Sequence, residues 1–299
     1  MKKSILFIFT ACFLFTTSCS DFLDEEHKTK YSSEYVFGTP EGLKLAVNAL
    51  YALQRYYAND TENATIFALE RGTDLAVTNG GTGNFYGIYD PNYLKPSASQ
   101  VGFMWRTMYQ IIGKANEIIA AAEDLEDTPS LRATVSEAKC FRAQSYFLLY
   151  RTFDRIWLNI QPTTAENVND PRDFHAASEK EVFDLIYEDL EYAITNLDWV
   201  SDEAGRFTQA AARHMKAKAA LWLKDWDTTL EQVEEIEKSG HFDLIALNEV
   251  FNARDLNHKE ALMVQQGSKN PGGNLSNATP KGNYYAAYFI AQYRTEIGG

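Results

Sequence analysis

Thiols are scarce: the 299 residues hold three cysteines, Cys12, Cys19 and Cys140. Basic runs are missing after Lys2-Lys3, and 41 acidic residues outnumber 28 basic ones for a net charge of −13, which leaves nothing to pair with a phosphate backbone and excludes nucleic acid as the partner. No apolar stretch reaches the ~20 residues that a membrane-crossing helix needs; the run at the N-terminus, Ile5 to Phe15, is too short. His27, His175, His214, His241 and His258 are scattered, with neither H-E-x-x-H nor C-x-x-C, so neither metal nor cofactor is expected. Gly80-Gly81-Thr82-Gly83 lacks a following Gly-Lys-Ser/Thr, which argues against a phosphate loop, and no G-x-S-x-G marks a serine hydrolase. Paired carboxylates for glycoside cleavage are defined by distance in space, so a surface glycoside hydrolase stays open as an alternative.

What is plentiful is aromatic: 17 Tyr, 18 Phe and 5 Trp, within a chain that is 45% hydrophobic and can bury a sizeable core. At the N-terminus, Lys2-Lys3, the apolar run and the small residues Thr16 to Ser18 read as a secretory signal peptide over 1–18. Ser18 followed by Cys19 is the arrangement of a bacterial lipoprotein, in which the cysteine carries acyl chains and becomes the mature N-terminus, although Thr16 departs from the usual leucine. A lipidated Cys19 leaves Cys140 as the one unmodified thiol of the mature chain, so no intramolecular disulfide is expected and Cys140 reads as a small buried hydrophobe.

Helical periodicity dominates from residue 39 on. Thr39-Pro40 offers a cap and a first-turn proline for a helix over 41–58, with Leu43, Val47, Leu50 and Tyr57 on one face. Residues 103–125 repeat the pattern through Met104, Met108, Ile111, Ile112 and Ala115. Thr128-Pro129 starts the next helix, carrying Ala138, Phe141, Tyr146 and Leu149, and the two are expected to form an antiparallel hairpin. Ser178 and Glu181 make a capping box ahead of Val182, Ile186, Leu190 and Ala193. Thr208 caps a helix to about Lys224, and a shorter one over 227–238 stops at Ser239-Gly240, where glycine can take the left-handed cap conformation. No comparable segment alternates with period two, so the fold class is all-α with little or no sheet.

The stretch "EAKCFRAQSYFLLYRTF" aligns with the chain 74 residues later, setting Ala138 over Ala212, Ala143 over Ala217, Ser145 over Ala219, Phe147 over Leu221 and Leu149 over Leu223. Small residues recur where helices approach closely and large ones where holes must be filled, which is the logic of TPR-like stacked helical hairpins, here over about 103–240, with long irregular loops between them.

Several segments, taken in order, resemble the SusD/RagB family of outer-membrane nutrient-binding lipoproteins: "CSDFLDEE" with "AVNALY" at 46–51, "EAKCFRAQSYFLLYRTFDRIWL" at 137–158, "EKEVFDLIYEDLEYAITNL" at 179–197, and "GRFTQAAARHMKAKAALWLKDW" closed by "SGHFDL". Cys140 and the absence of a Gly-Asp-Val-Pro after the second segment are departures. The resemblance implies a single α-helical domain over 19–299, incomplete at its C-terminus, on a lipoprotein of the outer membrane facing the cell exterior. It also implies that Asp21, Asp24, Glu25 and Glu26 act as the surface-export signal. Members bind an oligosaccharide, or in some branches a peptide, without cleaving it, and partner a SusC-like TonB-dependent transporter. A lipid-anchored TPR scaffold binding only protein is the other alternative.

The loop over 70–96 is too long for a mere connection, and it gathers Phe85, Tyr86, Tyr89 and Tyr93 among Asn79, Asn84, Asp90 and Asn92. Sugar rings present apolar C–H faces bounded by hydroxyls, so flat aromatics beside amide, acid and guanidinium groups suit a glycan. Arg71, Asp74, Asn84, Phe85, Tyr86, Tyr89 and Tyr93 are therefore the candidate ligand residues, the alternative being that these rings pack the loop onto the helices. Tyr284, Tyr285 and Tyr288 form a second, weaker cluster.

Overall fold

The computed structural model describes residues 31–59, 99–171, 174–250 and 257–264. Its helices, in order, are α1 (Ser33–Gly38), α2 (Pro40–Asn59), α3 (Ser99–Ala122), α4 (Pro129–Thr152), α5 (Glu179–Asn196), α6 (Gln209–Leu223), α7 (Trp226–Lys238) and the single turn α8 (Leu247–Val250), and no strand is found among the described residues.

The helix boundaries follow the local chemistry. Thr128, Ser178 and Thr208 each accept a hydrogen bond from the backbone N–H three residues on, and Glu181 closes the capping box by accepting from the Ser178 N–H at 2.8 Å. Replacing Ser178 by alanine is expected to cost ~1 kcal/mol and to lower the melting temperature by about 3 °C, measured by circular dichroism. Gly240 takes φ +70°, as a helix stop requires. The Thr39 hydroxyl serves two helices at once, donating to the Tyr35 carbonyl at 2.8 Å and accepting from the Gly42 N–H at 3.0 Å. Gly42 has a packing reason as well, since a Cβ there would sit 2.2 Å from the Tyr35 carbonyl oxygen. Helix α3 begins at Ser99, before the first periodic apolar residue, and it ends at Ala122 where the Glu123 and Leu125 N–H groups turn to i−3 carbonyls.

Successive helices run antiparallel. Trp105 meets Phe153 while Asn116 meets Arg142, which fixes α3 against α4; Phe183 meets Tyr150 and Phe147 while Asp189 meets Arg142, which fixes α5 against α4. Lys216 to Glu191 and Arg213 to Gln232 continue the stack through α6 and α7. One core runs through it, from Leu43, Val47 and Leu50 of α2 to Ile112, Phe141, Tyr146, Ile186 and Leu190. This is the all-α architecture of TPR-like stacked hairpins that the sequence pattern implies.

The internal repeat explains the close helix approaches. Ala138, Ala143, Ser145, Ala212, Ala217 and Ala219 are all buried, so small residues do recur where α4 and α6 meet their neighbours. The large positions behave differently: Phe147 packs on Phe183, whereas Leu221 is 50% exposed.

Two polar nodes hold the stack. Asp189 on α5 is fully buried and accepts from Lys139 Nζ at 2.8 Å and from Arg142 Nε and Nη2 at 2.7 Å each, while Arg142 Nη1 donates to Asn116 of α3 at 2.8 Å. In the second node, the Tyr51 hydroxyl donates to Glu137 and accepts from the Phe207 N–H at 2.7 Å, and Arg206 reaches Glu137 at 3.1 Å. Burial raises the Glu137 carboxyl above its ordinary range, against the pull of Tyr51 and Arg206. Glu137, Lys139 and Arg142 of the "EAKCFRA" stretch are thus structural clasps. Cys140 between them is completely buried, and burial pushes its thiol well up, as befits an inert hydrophobe.

Candidate functional site

Between α4 and α5, the described residues 153–171 and 174–178 form an irregular strap on the outside of the α3–α4 hairpin. Its shape is imposed by side chains of the two helices. Tyr109 of α3 accepts from the Trp157 N–H at 2.9 Å and donates to the Trp157 carbonyl at 2.8 Å. Tyr146 of α4 does the same for Asn159, at 2.7 and 2.8 Å. Asn116 donates to the Asn159 carbonyl at 2.7 Å and is itself held by Arg142. Each tyrosine hydroxyl therefore supplies both halves of a backbone pairing, which satisfies polar groups that no strand or helix satisfies here. Burial raises both phenols above their ordinary range, so they stay protonated donors at neutral pH.

This fixation displays a set of rings. Trp105 and Tyr109 lie 4.8 Å apart, Trp105 meets Phe153 edge-on at 5.0 Å, Trp157 lies over Tyr109 at 6.4 Å with 25° between planes, and Phe174 meets Trp157 at 4.9 Å and 58°. Trp105, Tyr109 and Trp157 are half-buried, but Phe174 is 69% exposed, as are Ile160 at 51% and Val168 at 53% on the same strap. Charged groups accompany the rings in sequence: Arg106 beside Trp105, Asp154 and Arg155 beside Trp157, all exposed. Rigid aromatic faces with hydrogen-bonding groups close by can take an apolar-faced, hydroxyl-edged ligand such as a sugar. Among the described residues, no group of three or more His, Cys, Asp or Glu side chains could hold a metal ion.

The residues singled out in the sequence for ligand contact, Arg71, Asp74, Asn84, Phe85, Tyr86, Tyr89 and Tyr93, lie outside the described residues, as do Cys19, Asp21, Asp24, Glu25, Glu26, Tyr284, Tyr285 and Tyr288. The 70–96 segment leads into α3, whose second turn carries Trp105. Trp105, Tyr109, Trp157 and Phe174 were not among the candidates. Spacing cannot reveal them, since Trp157 and Phe174 come together with α3 only through the strap; the one available hint is that "RTFDRIWL" interrupts helical periodicity with two aromatics among charges.

A family model described as "Starch-binding associating with outer membrane" matches residues 21–221. A SusD-like protein of Bacteroides ovatus is 25% identical over 291 residues, which cover 89% of this chain and 50% of that protein. Among solved structures, a laminarin-binding SusD-like protein superposes with a TM-score of 0.59 at 25% identity, covering 69% of this chain and 45% of that one. A structure solved with xylogluco-oligosaccharide superposes with a TM-score of 0.60 at 21% identity, over 75% of this chain and 46% of that one. The chain thus spans about half the length of the curated relatives it matches.

Proposed function

Given that the chain belongs to the SusD-like family, we propose that it is a lipid-anchored protein of the cell surface that binds a glycan without cleaving it and hands it to a TonB-dependent transporter in the outer membrane. The observation that carries the binding part is the strap-borne platform of Trp157 and Phe174 against Trp105 and Tyr109, with the strap backbone held by tyrosine hydroxyls at Trp157 and Asn159. The loop candidates Arg71, Asp74, Asn84, Phe85, Tyr86, Tyr89 and Tyr93 belong to the same reading, because their segment runs into the helix that carries Trp105. Similar structures support glycan as the ligand class: one is a laminarin-binding SusD-like protein, and one that shares the fold was solved with xylogluco-oligosaccharide.

Among the described residues no helix is long and apolar enough to cross a membrane, so attachment in this reading rests on Cys19, with Asp21, Asp24, Glu25 and Glu26 directing the anchored protein outward. Cys19→Ala is expected to abolish acyl labelling and to release the protein from washed membranes, since each buried methylene of an acyl chain contributes ~0.8 kcal/mol. A membrane-retained, unacylated variant would contradict the anchor. The transporter partnership is tested by gentle detergent extraction at native expression level: a TonB-dependent outer-membrane protein should co-purify, and recovery of the chain alone argues for the scaffold reading.

A further inference from the structure

Helix α3 carries a glycine in its first turn, where alanine would serve the helix better, so Gly102 needs a local reason. A Cβ at Gly102 would come within 2.9 Å of Arg106 Nη1 and 3.7 Å of its Cζ, whereas one at Gly113, on the same helix, would meet nothing within 4 Å. The bare Cα of Gly102 is thus the seat of the Arg106 guanidinium, which lies back along α3 in the direction that helical side chains lean. Gly102, Trp105 and Tyr109 are spaced at i, i+3 and i+7 and are all half-buried, so they share one face of α3. The seat therefore places the guanidinium on the row that carries two rings of the platform. Arg106 is exposed, and among the described residues its side chain makes no hydrogen bond or ion pair. Arg155, on the strap, already faces the Asp154 carboxylate at 3.6 Å, so it is Arg106 that stays open to a ligand.

We propose that Arg106, seated over Gly102, is a specificity-determining residue of the platform and takes the carboxylate of an acidic sugar, so that the preferred glycan carries uronic acid units. This rests on the platform reading above. A uronic acid holds its carboxylate at the edge of the ring, outside the apolar C–H face; with that face stacked on Trp105 and Tyr109, the ionised edge meets the guanidinium. The planar fork of arginine matches the two carboxylate oxygens, and such a charge-assisted pair is stronger than the neutral hydrogen bonds open to a hydroxymethyl group in the same place. The net charge of −13 repels an anionic polymer as a whole, so a preference for uronate must come from this local contact, which makes Arg106 decisive.

The test is calorimetric titration of the full chain with oligogalacturonate, oligoguluronate and hyaluronan fragments, each beside its own carboxyl methyl ester, and with neutral laminarin and xyloglucan oligosaccharides. At low salt at least one uronate is expected to bind about five-fold tighter than its ester, the scale of an exposed ion pair. Arg106→Gln should erase that preference. Gly102→Ala should reduce it while the melting temperature holds or rises, since alanine favours the helix but its Cβ displaces the guanidinium. A Gly102→Ala variant that melts lower and keeps the preference would overturn the seat. Equal affinity of every uronate and its ester, binding of neutral glycans only, or a preference that survives Arg106→Gln would overturn the proposal and leave the platform standing. No heat with any glycan, acidic or neutral, would remove the platform reading and this inference with it.

Discussion

Replacing Asp189 by alanine is expected to destabilise the fold by about 3–5 kcal/mol and to lower the melting temperature by roughly 10 °C or more. The magnitude follows from what is left behind. Asp189 is completely buried and is the shared acceptor for Lys139 and for two nitrogens of Arg142, so its removal strands two cations in an interior that cannot solvate them. Arg142 also holds Asn116, which holds the strap at Asn159, so the damage should spread to the platform. The companion experiment removes the charges together: a variant with Lys139→Met, Arg142→Met and Asp189→Leu should recover most of the lost stability, because an ion cluster replaced by apolar residues of similar volume is often neutral or stabilising. Thermal melts of the two variants decide the matter. A single mutant that melts like the parent would mean that the cluster is hydrated and carries no such burden.

The second large effect is expected in binding. Phe174→Ala should weaken glycan affinity by about 1–3 kcal/mol, the scale of aromatic stacking on nucleobases, while the melting temperature stays put, because Phe174 is 69% exposed and its loss opens no cavity. Trp157→Ala should cost at least as much affinity, with some stability lost as well, since Trp157 is half-buried between Tyr109 and Phe174. Tyr109→Phe separates stacking from positioning: the ring stays, but the Trp157 N–H and carbonyl lose their shared partner, so affinity should fall through loosening of the strap. In the loop, Tyr86→Ala and Tyr89→Ala should weaken binding on the same scale with unchanged melting. A lowered melting temperature with intact binding in all these variants would mean that the rings only pack.

Most of the helical scaffold was legible because its determinants are local. A capping hydroxyl, a proline in the first turn and apolar residues at helical spacing lie within one segment, and Thr128, Ser178 and Thr208 all perform as their sequence contexts imply. Helix α1 was missed since six residues leave no room for a periodic apolar face; its evidence is the Ser32 cap, accepting from Tyr35, and the double duty of Thr39. The roles of Glu137, Lys139 and Arg142 were hidden for a different reason. On one helix they read as an ordinary charged stretch, and only the stacking of α2, α5 and the α6 start beside them brings Tyr51, Asp189 and Arg206 within reach. The platform is the extreme case: Trp105 and Phe174 are distant in sequence, and nothing in either neighbourhood announces that two tyrosine hydroxyls will fold an irregular strap between them. The repeat at Leu221 shows the converse error, a pattern match whose packing partner differs from one hairpin to the next.

The claim at the centre of this account, glycan binding without cleavage at an aromatic platform, is tested most directly by calorimetric titration of the chain with soluble laminarin, xyloglucan and starch oligosaccharides. Saturable heat with at least one of them is expected, ending at a flat baseline and falling in the Phe174→Ala variant. Absence of heat with every glycan, or a steady heat signal that persists as substrate is turned over, would contradict it.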